Sequence, residues 1–401
     1  MKIQQFNIFT CDLGWRTISF LKVVSEDGIA GWSEFTESFG NQGLVKVVES
    51  LKRHVIGRSA MHVGLISAEL TANSGPAPSG LNRQATAVVE NALYDLKARS
   101  LGISVADLLG GKQRDSLLVY WSHCGTYRQG HQAELIGQTK LSSYRELSDF
   151  AQTVKEQGFK YLKTNTIAFD DPEVGSRPFP WTRRPNSANR EWDTRFIRAI
   201  RSTLEAFREG VGDEVGIIFD ANIGFGIDGM KRIARSVEEF GLEWFELDGL
   251  SPQTLAHLRS ATTTPIASGE SLFGREEYLP YFQEQSMDLA IVDVLWNGVG
   301  ETSRIASAAE SYQLDLAPHN FYGHLSTFIS AQLCAAIPNF NIFEIDIDGV
   351  PWRDELVSEA PRIVDGSLIV PEGSGWGVEV NEDAVKFYSV DERDRSKTVI
   401  Q

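Results

Sequence analysis

From Leu117 to Ile347 the chain alternates between short, β-rich apolar segments and helical stretches, and no other feature constrains its fold as strongly. The apolar segments are Leu117 to His123, Tyr161 to Asn165, Val215 to Asn222, Leu242 to Asp248, Pro265 to Ser271, Met287 to Val294, Gln313 to Asn320 and Phe340 to Ile347. They are near-continuous hydrophobic runs, as expected of parallel strands covered on both faces. In the stretch Glu191 to Glu209, Trp192, Phe196, Ile200, Leu204 and Phe207 form one apolar stripe at helical spacing. Eight such strands with intervening helices predict a TIM-like (β/α) barrel, a fold of about 250 residues. No comparable helical pattern follows the eighth strand.

The chain has 401 residues, and the excess over a barrel lies at its two ends. Lys2 to Thr10, Ile18 to Ser25 and Ile29 to Glu34 are strand-like, the last two joined by a turn at Glu26-Asp27-Gly28. Helical patterns follow at Leu44 to His54 and at Arg83 to Ser100, where Ala85, Val88, Val89, Ala92 and Leu96 share a face. Strands segregated from helices predict a small α+β module over 1–115, ahead of the barrel over 116–355. The segment 356–401, with the turn-rich DGSLIVPEGSGWG, reads as an extended tail free to return to the N-terminal module.

A ring of polar residues closes successive barrel strands: Asp220, Glu246, Glu270, Asp293, His319 and Glu344. Their separations are 26, 24, 23, 26 and 25 residues, one strand-helix unit each time, so every side chain is delivered to the same rim. Asp220, Glu246 and Glu270 come from three adjacent strands. Three carboxylates in one apolar-walled mouth repel unless a cation neutralises them, and an all-oxygen set with no Cys or His suits Mg²⁺. Asp293 and His319 lie on the next two strands. A carboxylate beside an imidazole fixes its tautomer and raises its basicity, which equips the pair for general base and acid work. His54, His62, His123, His131, His257 and His324 lack such a partner pattern. His123 ends the first barrel strand and His324 follows APHNFYG, so both are near the mouth without a role.

Charge and composition exclude other classes. Lys and Arg total 38 against 54 Asp and Glu, a net charge of −16, which disfavours nucleic acid and anionic membrane as partners. An anionic small substrate therefore needs a local positive element, such as a metal or a few Lys and Arg. Cys11, Cys124 and Cys334 are too few and too scattered for a disulfide framework, in keeping with a reducing cytoplasm. The start MKIQQFNIFTCDLGW has no signal-like apolar run, and no apolar stretch of about 18 residues occurs. The expectation is a cytoplasmic, unprocessed protein.

Two segments admit competing readings. Thr166 to Arg190, 25 residues with four prolines and the arginines Arg177, Arg183, Arg184 and Arg190, exceeds the roughly 12–15 residues of ordinary loops. It follows the second barrel strand, so it reads as a substrate lid, or else as a subunit contact or disordered insertion. Gly224 to Gly229 matches GxGxxG, with Glu246 about 20 residues beyond, as at a dinucleotide site. The motif sits in the middle of the barrel, and the charge of Asp220 just before it opposes a pyrophosphate. A loop entering a helix near Asp228 is the better reading.

GFKYLKTN (Gly158 to Asn165), FDAN (from Asp220), WFEL (Glu246), IASGE (Glu270), the Asp293 strand, APHN (His319) and the Glu344 strand, taken in order, resemble the motifs of the enolase superfamily, mandelate racemase subgroup. The resemblance extends to SVADLLGG before the barrel and DGSLIVPEGSGWG after it. It implies an α+β capping domain completed by the C-terminal tail, a (β/α)7β barrel, and a homo-oligomer. It also implies Mg²⁺ on Asp220, Glu246 and Glu270, an Asp293-His319 dyad, and Glu344 bonded to the substrate carboxylate. Asn222 of FDAN joins Asn165 as a substrate contact.

The shared chemistry is removal of the proton α to a carboxylate, giving an enediolate that a divalent ion stabilises; the pairing of a His or Lys base with Mg²⁺ is a known property of this superfamily. One departure narrows the reaction. The family pattern at the second strand is commonly Lys-x-Lys, the second Lys being a base; here it is Lys163-Thr164-Asn165. Asn cannot accept a proton at useful pH, so Asn165 can only position substrate. With His319 as the one clear base, elimination of water from a sugar acid is favoured, giving a 2-keto-3-deoxy acid. Lys163 is then an electrostatic partner of the carboxylate. The alternatives are a racemase or epimerase with Lys163 opposite His319, and a non-catalytic acid-sugar-binding protein. Substrate identity should depend on the segments Asp12 to Arg16 and Thr36 to Gly43 and on the arginine-bearing insertion.

Overall fold

The computed structural model describes residues 1–38, 41–171, 174, 194–222 and 225–390. Three antiparallel strands open the chain in the order β1 (Ile3–Asp12), β2 (Thr17–Ser25), β3 (Ala30–Phe35). With helices α1 (Leu44–Val55), α2 (Val63–Asn73) and α3 (Leu81–Leu101) they enclose a separate core around Phe6, Leu21, Val48, Val88 and Leu93. Helix α2 adds to the two helices expected from periodicity; VGLISAELTAN has apolar residues around most of its circumference and so shows no stripe. Gly31 is the contact point of β3 with α3. A Cβ there would lie 2.3 Å from the Ala92 carbonyl oxygen, so only glycine permits the approach.

Eight parallel strands follow: β4 (Ser116–Trp121), β5 (Tyr161–Thr164), β6 (Gly216–Asp220), β7 (Phe245–Glu246), β8 (Ile266–Ser268), β9 (Leu289–Asp293), β10 (Asp315–His319) and β11 (Phe343–Ile345). Each is shorter than its apolar run, because the flanking residues already turn into loops. Each pairs with the next from β4 to β10, and β11 pairs with β4. Between β10 and β11 the ladder is reduced to a bridge from Leu316 to Phe340, with Leu316 bonded to Asn339 and Asn341. The helices between the strands are α4 (Tyr144–Glu156), α5 (Thr194–Val211), α6 (Ile227–Val237), α7 (Pro252–Arg259), α8 (Gly274–Gln283), α9 (Val299–Ser311) and α10 (His324–Ala336). This is the (β/α)7β arrangement, with only short helical turns after β11 among the described residues.

The two faces of the strands explain their continuous hydrophobicity. Tyr120, Ile218, Trp244, Ala267, Ile291, Ala317 and Ile342 fill the barrel interior, while Trp121, Phe219, Phe245, Val292 and Leu316 pack outward against the helices. The arginines of the expected lid, Trp192 and Gly224 lie outside the described residues. No helix among the described residues is long and apolar enough to cross a membrane.

The C-terminal segment runs back along the molecule. A hairpin, β12 (Ile363–Val364) and β13 (Ser367–Ile369), adds antiparallel to β4. Trp376 donates its indole N–H to the Trp32 carbonyl, and Val390 N–H bonds Thr10 O at 2.9 Å. The N-terminal module also caps two barrel helices. Helices α9 and α10 begin at Gly298 and Gly323, which have no side chain to satisfy the first N–H groups. Asn91 Oδ1 accepts from Val299 N and Glu90 Oε1 from Gly300 N. Glu34 accepts from Gly323 N at 2.6 Å and Ser326 N at 3.1 Å. An acid at a helix N-terminus is favoured by both hydrogen bonding and the helix dipole.

Candidate active site

Side chains two apart on a strand share a face. Ile218, Trp244, Ile291, Ala317 and Ile342 point into the barrel, so Asp220, Glu246, Asp293, His319 and Glu344 point into its mouth. Glu270 breaks this parity, being three residues after the interior Ala267. Gly269 between them has φ +116°, and a Cβ there would crowd the Ile291 carbonyl at 2.9 Å. The glycine lets the chain leave the strand path and turn Glu270 toward His319.

The first cluster is built around Lys163. Its Nζ lies 3.0 Å from Glu246 Oε1 and 2.8 Å from Glu344 Oε1, 4% exposed, over the ring of Tyr120. Glu246 Oε2 accepts from Trp244 Nε1 at 2.9 Å. Glu344 also accepts from Ser122 Oγ at 2.5 Å and Asn320 N at 2.8 Å. Burial alone would raise the Glu344 carboxyl, but Lys163, His319 and His123 outweigh it and hold it down at about 2. Burial likewise works against the ammonium of Lys163, yet Glu246 and Glu344 carry it well above the usual lysine range.

The second cluster holds the dyad. His319 Nδ1 is 2.7 Å from Asp293 Oδ2; this orients the ring so that Nε2 lies 3.4 Å from Glu270 Oε1 and 4.0 Å from Glu344 Oε2. Burial opposes protonation of the imidazole, but Glu270, Glu344 and Asp293 push it up to about 10. Asp293 Oδ1 accepts from Trp296 N at 2.9 Å, capping the short turn after β9.

Asp220 and Glu246 are register partners on β6 and β7. Burial and then Glu246 raise the Asp220 carboxyl to about 7, and burial drives Glu270 well above the carboxylate range, with Asp248 and Asp220 adding repulsion. A buried excess of negative charge on oxygen donors is chemistry that a hard divalent cation satisfies. Asn222, at φ +53°, has a buried amide nitrogen beside Asp220 that finds no partner among the described residues. As they stand, however, no three His, Cys, Asp or Glu side chains among the described residues form a metal-binding group. Glu246 is turned to Lys163 and Glu270 to His319. The donor types therefore fit the ion, and the three acids expected to share it are distributed over the two clusters.

Asn165 lies between β5 and β6, its Nδ2 bonded to Asp220 O at 3.2 Å and its Oδ1 accepting from Thr126 Oγ1 at 3.3 Å. His123 forms part of the wall, stacked on Tyr127 at 4.8 Å, and burial pushes its imidazole down to about 3. His324 is paired with Asp354 at 2.6 Å. Sequence reasoning missed Ser122, Trp244, Tyr322 and Glu34, and named Arg16 only as the end of the segment Asp12 to Arg16. Trp244 and Tyr322 stand within three residues of the expected site residues Glu246 and His319, a signal that was there to use, and Ser122 adjoins His123 at the end of the first barrel strand. Arg16 ion-pairs with Asp346 at 3.0 Å, 330 residues away, a pairing that nothing local marks.

Two family models cover most of the chain: "Enolase C-terminal domain-like" matches residues 146–384, and "Mandelate racemase / muconate lactonizing enzyme, N-terminal domain" matches residues 7–110. Among curated proteins, the D-xylonate dehydratase of Haloferax volcanii is 26% identical over 377 residues, 92% of this chain and 85% of that one. The D-gluconate dehydratase of Thermoproteus tenax is 28% identical over 386 residues, 94% and 71% of the two chains. A crystal structure from Burkholderia xenovorans strain LB400, bound to magnesium and fumarate and provisionally described as an L-alanine-DL-glutamate epimerase, has a TM-score of 0.92 and 37% identity, covering 98% and 99%.

Proposed function

The chain belongs to the mandelate racemase / muconate lactonizing enzyme family of the enolase superfamily, and from that premise we propose that it is a hydro-lyase, a Mg²⁺-dependent dehydratase of a sugar acid. The observation that carries this reading is the asymmetry of its two nitrogens. Lys163 is held between two carboxylates, whereas His319 has Nδ1 fixed by Asp293 and Nε2 directed to the mouth. One base suits elimination, while racemisation asks for competent groups on both faces.

In this reading Asp220, Glu246 and Glu270 would hold Mg²⁺. When bound, such an ion supplies positive charge to the substrate carboxylate and offsets the acid charge that otherwise keeps a proton on His319. Glu344 hydrogen-bonds the substrate carboxylate only when it carries a proton, since an ionised carboxylate has none to donate; Lys163 adds charge beside it, and Asn165 and Asn222 position hydroxyls. His319 Nε2 takes the proton from the α-carbon, and Asp293 stabilises the imidazolium. The electron pair forms the Cα–Cβ double bond as the β-carbon–oxygen bond breaks, and the departing hydroxide takes that proton from the His319 imidazolium and leaves as water, returning His319 to its neutral form. The enol then becomes the 2-keto-3-deoxy acid. Relatives that act on D-xylonate and D-gluconate support the substrate class.

An epimerase is the second reading, favoured by the provisional description of the Burkholderia relative. It needs Lys163 released from Glu246 and Glu344. Proton NMR of pooled mono- and diacid sugars with the protein and Mg²⁺ in D₂O separates the two. A new deoxy methylene signal is the expected result; deuterium at the α-carbon without elimination would replace the dehydratase by the epimerase, and no change in any acid would sink both.

A further inference from the structure

The loop that follows the proposed base is gripped from the N-terminal module on both sides of one residue. Arg16 donates through Nη1 to the Phe321 carbonyl, and Gly323 N–H donates to Glu34. Tyr322 lies between these anchors, 3% exposed, its ring edge-on to His319 at 5.8 Å. Its hydroxyl donates to Asp293 Oδ2 at 2.5 Å, the same oxygen that His319 Nδ1 meets at 2.7 Å. With Trp296 N on Oδ1, the carboxylate is held by three donors.

We infer that Tyr322 is a positioning residue for proton transfer by His319, acting through Asp293. A hydrogen bond from a hydroxyl to a charged carboxylate at this length is among the stronger kinds. It fixes the rotation of Asp293 and so the direction of Nε2. It also competes for Oδ2, so it sets how strongly Asp293 holds the Nδ1–H of His319. The step rests on the reading of His319 as the base.

The test is proton NMR of the Nδ1–H of His319 in protein with ¹⁵N-labelled histidine, which needs no substrate. In Tyr322→Phe the oxygen serves the imidazole alone, and the signal should move downfield. With 3-fluorotyrosine at 322, a stronger donor, it should move upfield. With substrate, Tyr322→Phe should lower kcat about tenfold with KM within about twofold, a part of the roughly 10²–10⁴-fold a positioned base contributes. In an Asp293→Asn background the same change should cost nothing more, because the two side chains act as a unit. A signal unmoved in folded Tyr322→Phe, or a kcat loss that persists in Asp293→Asn, overturns the inference. If the signal moves as expected while wild type turns over no sugar acid, the dehydratase reading fails and the hold of Tyr322 on the dyad stands.

Discussion

Two sides of one barrel mouth each present a nitrogen able to carry a proton, and the acids around them are arranged differently. At the end of β5, Lys163 is flanked by Glu246 and Glu344 at 3.0 and 2.8 Å. At the end of β10, His319 has one nitrogen tied to Asp293, while the other has no acid closer than 3.4 Å. Both are buried, so burial does not distinguish them. Neighbouring acids favour the protonated form of both, so the difference is geometric: the single nitrogen of Lys163 is taken up by two acids, whereas an imidazole anchored through Nδ1 has a second nitrogen facing the mouth.

The sharpest way to break this contrast is to remove the working side. His319→Asn should lower kcat by roughly 10²–10⁴-fold and abolish α-deuterium exchange. Mg²⁺ affinity by calorimetry should be unchanged, and retained exchange would take the base role from His319. Next comes the saturated side. Lys163→Met leaves Glu246 and Glu344 buried without their shared cation, which should cost roughly 3–5 kcal/mol in urea unfolding. A variant as stable as wild type would mean the double ion pair does not form in solution. Asn165→Lys sharpens the contrast by adding a second nitrogen beside the first. It should lose about 1–2 kcal/mol with the hydrogen bonds to Asp220 O and Thr126. Under the one-base reading it gains α-epimer formation that wild type lacks; epimer already produced by wild type would end that reading.

A last effect, seen only as a pH dependence, lies behind the His319 side. Burial pushes the Glu34 carboxyl from the ordinary 4.5 up to about 7. A carboxyl raised on folding binds its proton more tightly in the native state. Its contribution to stability is therefore full below about 4.5 and is lost as pH rises through about 7. Glu34→Gln removes that dependence, so the stability difference between wild type and variant should shift against wild type over this window, on top of about 1 kcal/mol for the weakened helix cap. Parallel stability-pH curves would show that Glu34 does not titrate there.

Much of the mouth was readable from spacing. Asp220, Glu246, Asp293, His319 and Glu344 each follow an interior apolar residue by two positions, a relation that strand periodicity fixes without any coordinates. The dyad was equally legible, since neighbouring strands bring their last residues together. Glu270 was found by spacing although its parity is wrong, and the reason, the left-handed Gly269, is visible only in the backbone. Pairings across the barrel were not legible. Nothing in the sequence says that Lys163 takes Glu246 and Glu344 rather than leaving Glu246 to join Asp220 and Glu270. That choice depends on side-chain reach inside a closed mouth. Helix α2 escaped because it is apolar on several sides, and the grip of Arg16 and Glu34 on the loop after β10 joins residues about three hundred positions apart.

The borrowed caps of α9 and α10 have a consequence for how the chain is made. Asn91, Glu90 and Glu34 leave the ribosome 208 to 292 residues before the amides they accept from. Starting a helix is the costly step, because several dihedrals are fixed before the first bond forms. The acceptors for the last two helices of the barrel are therefore synthesised before the helices themselves, and a barrel made without its N-terminal partner would begin those two turns unaided, beside the very strands that carry Asp293 and His319.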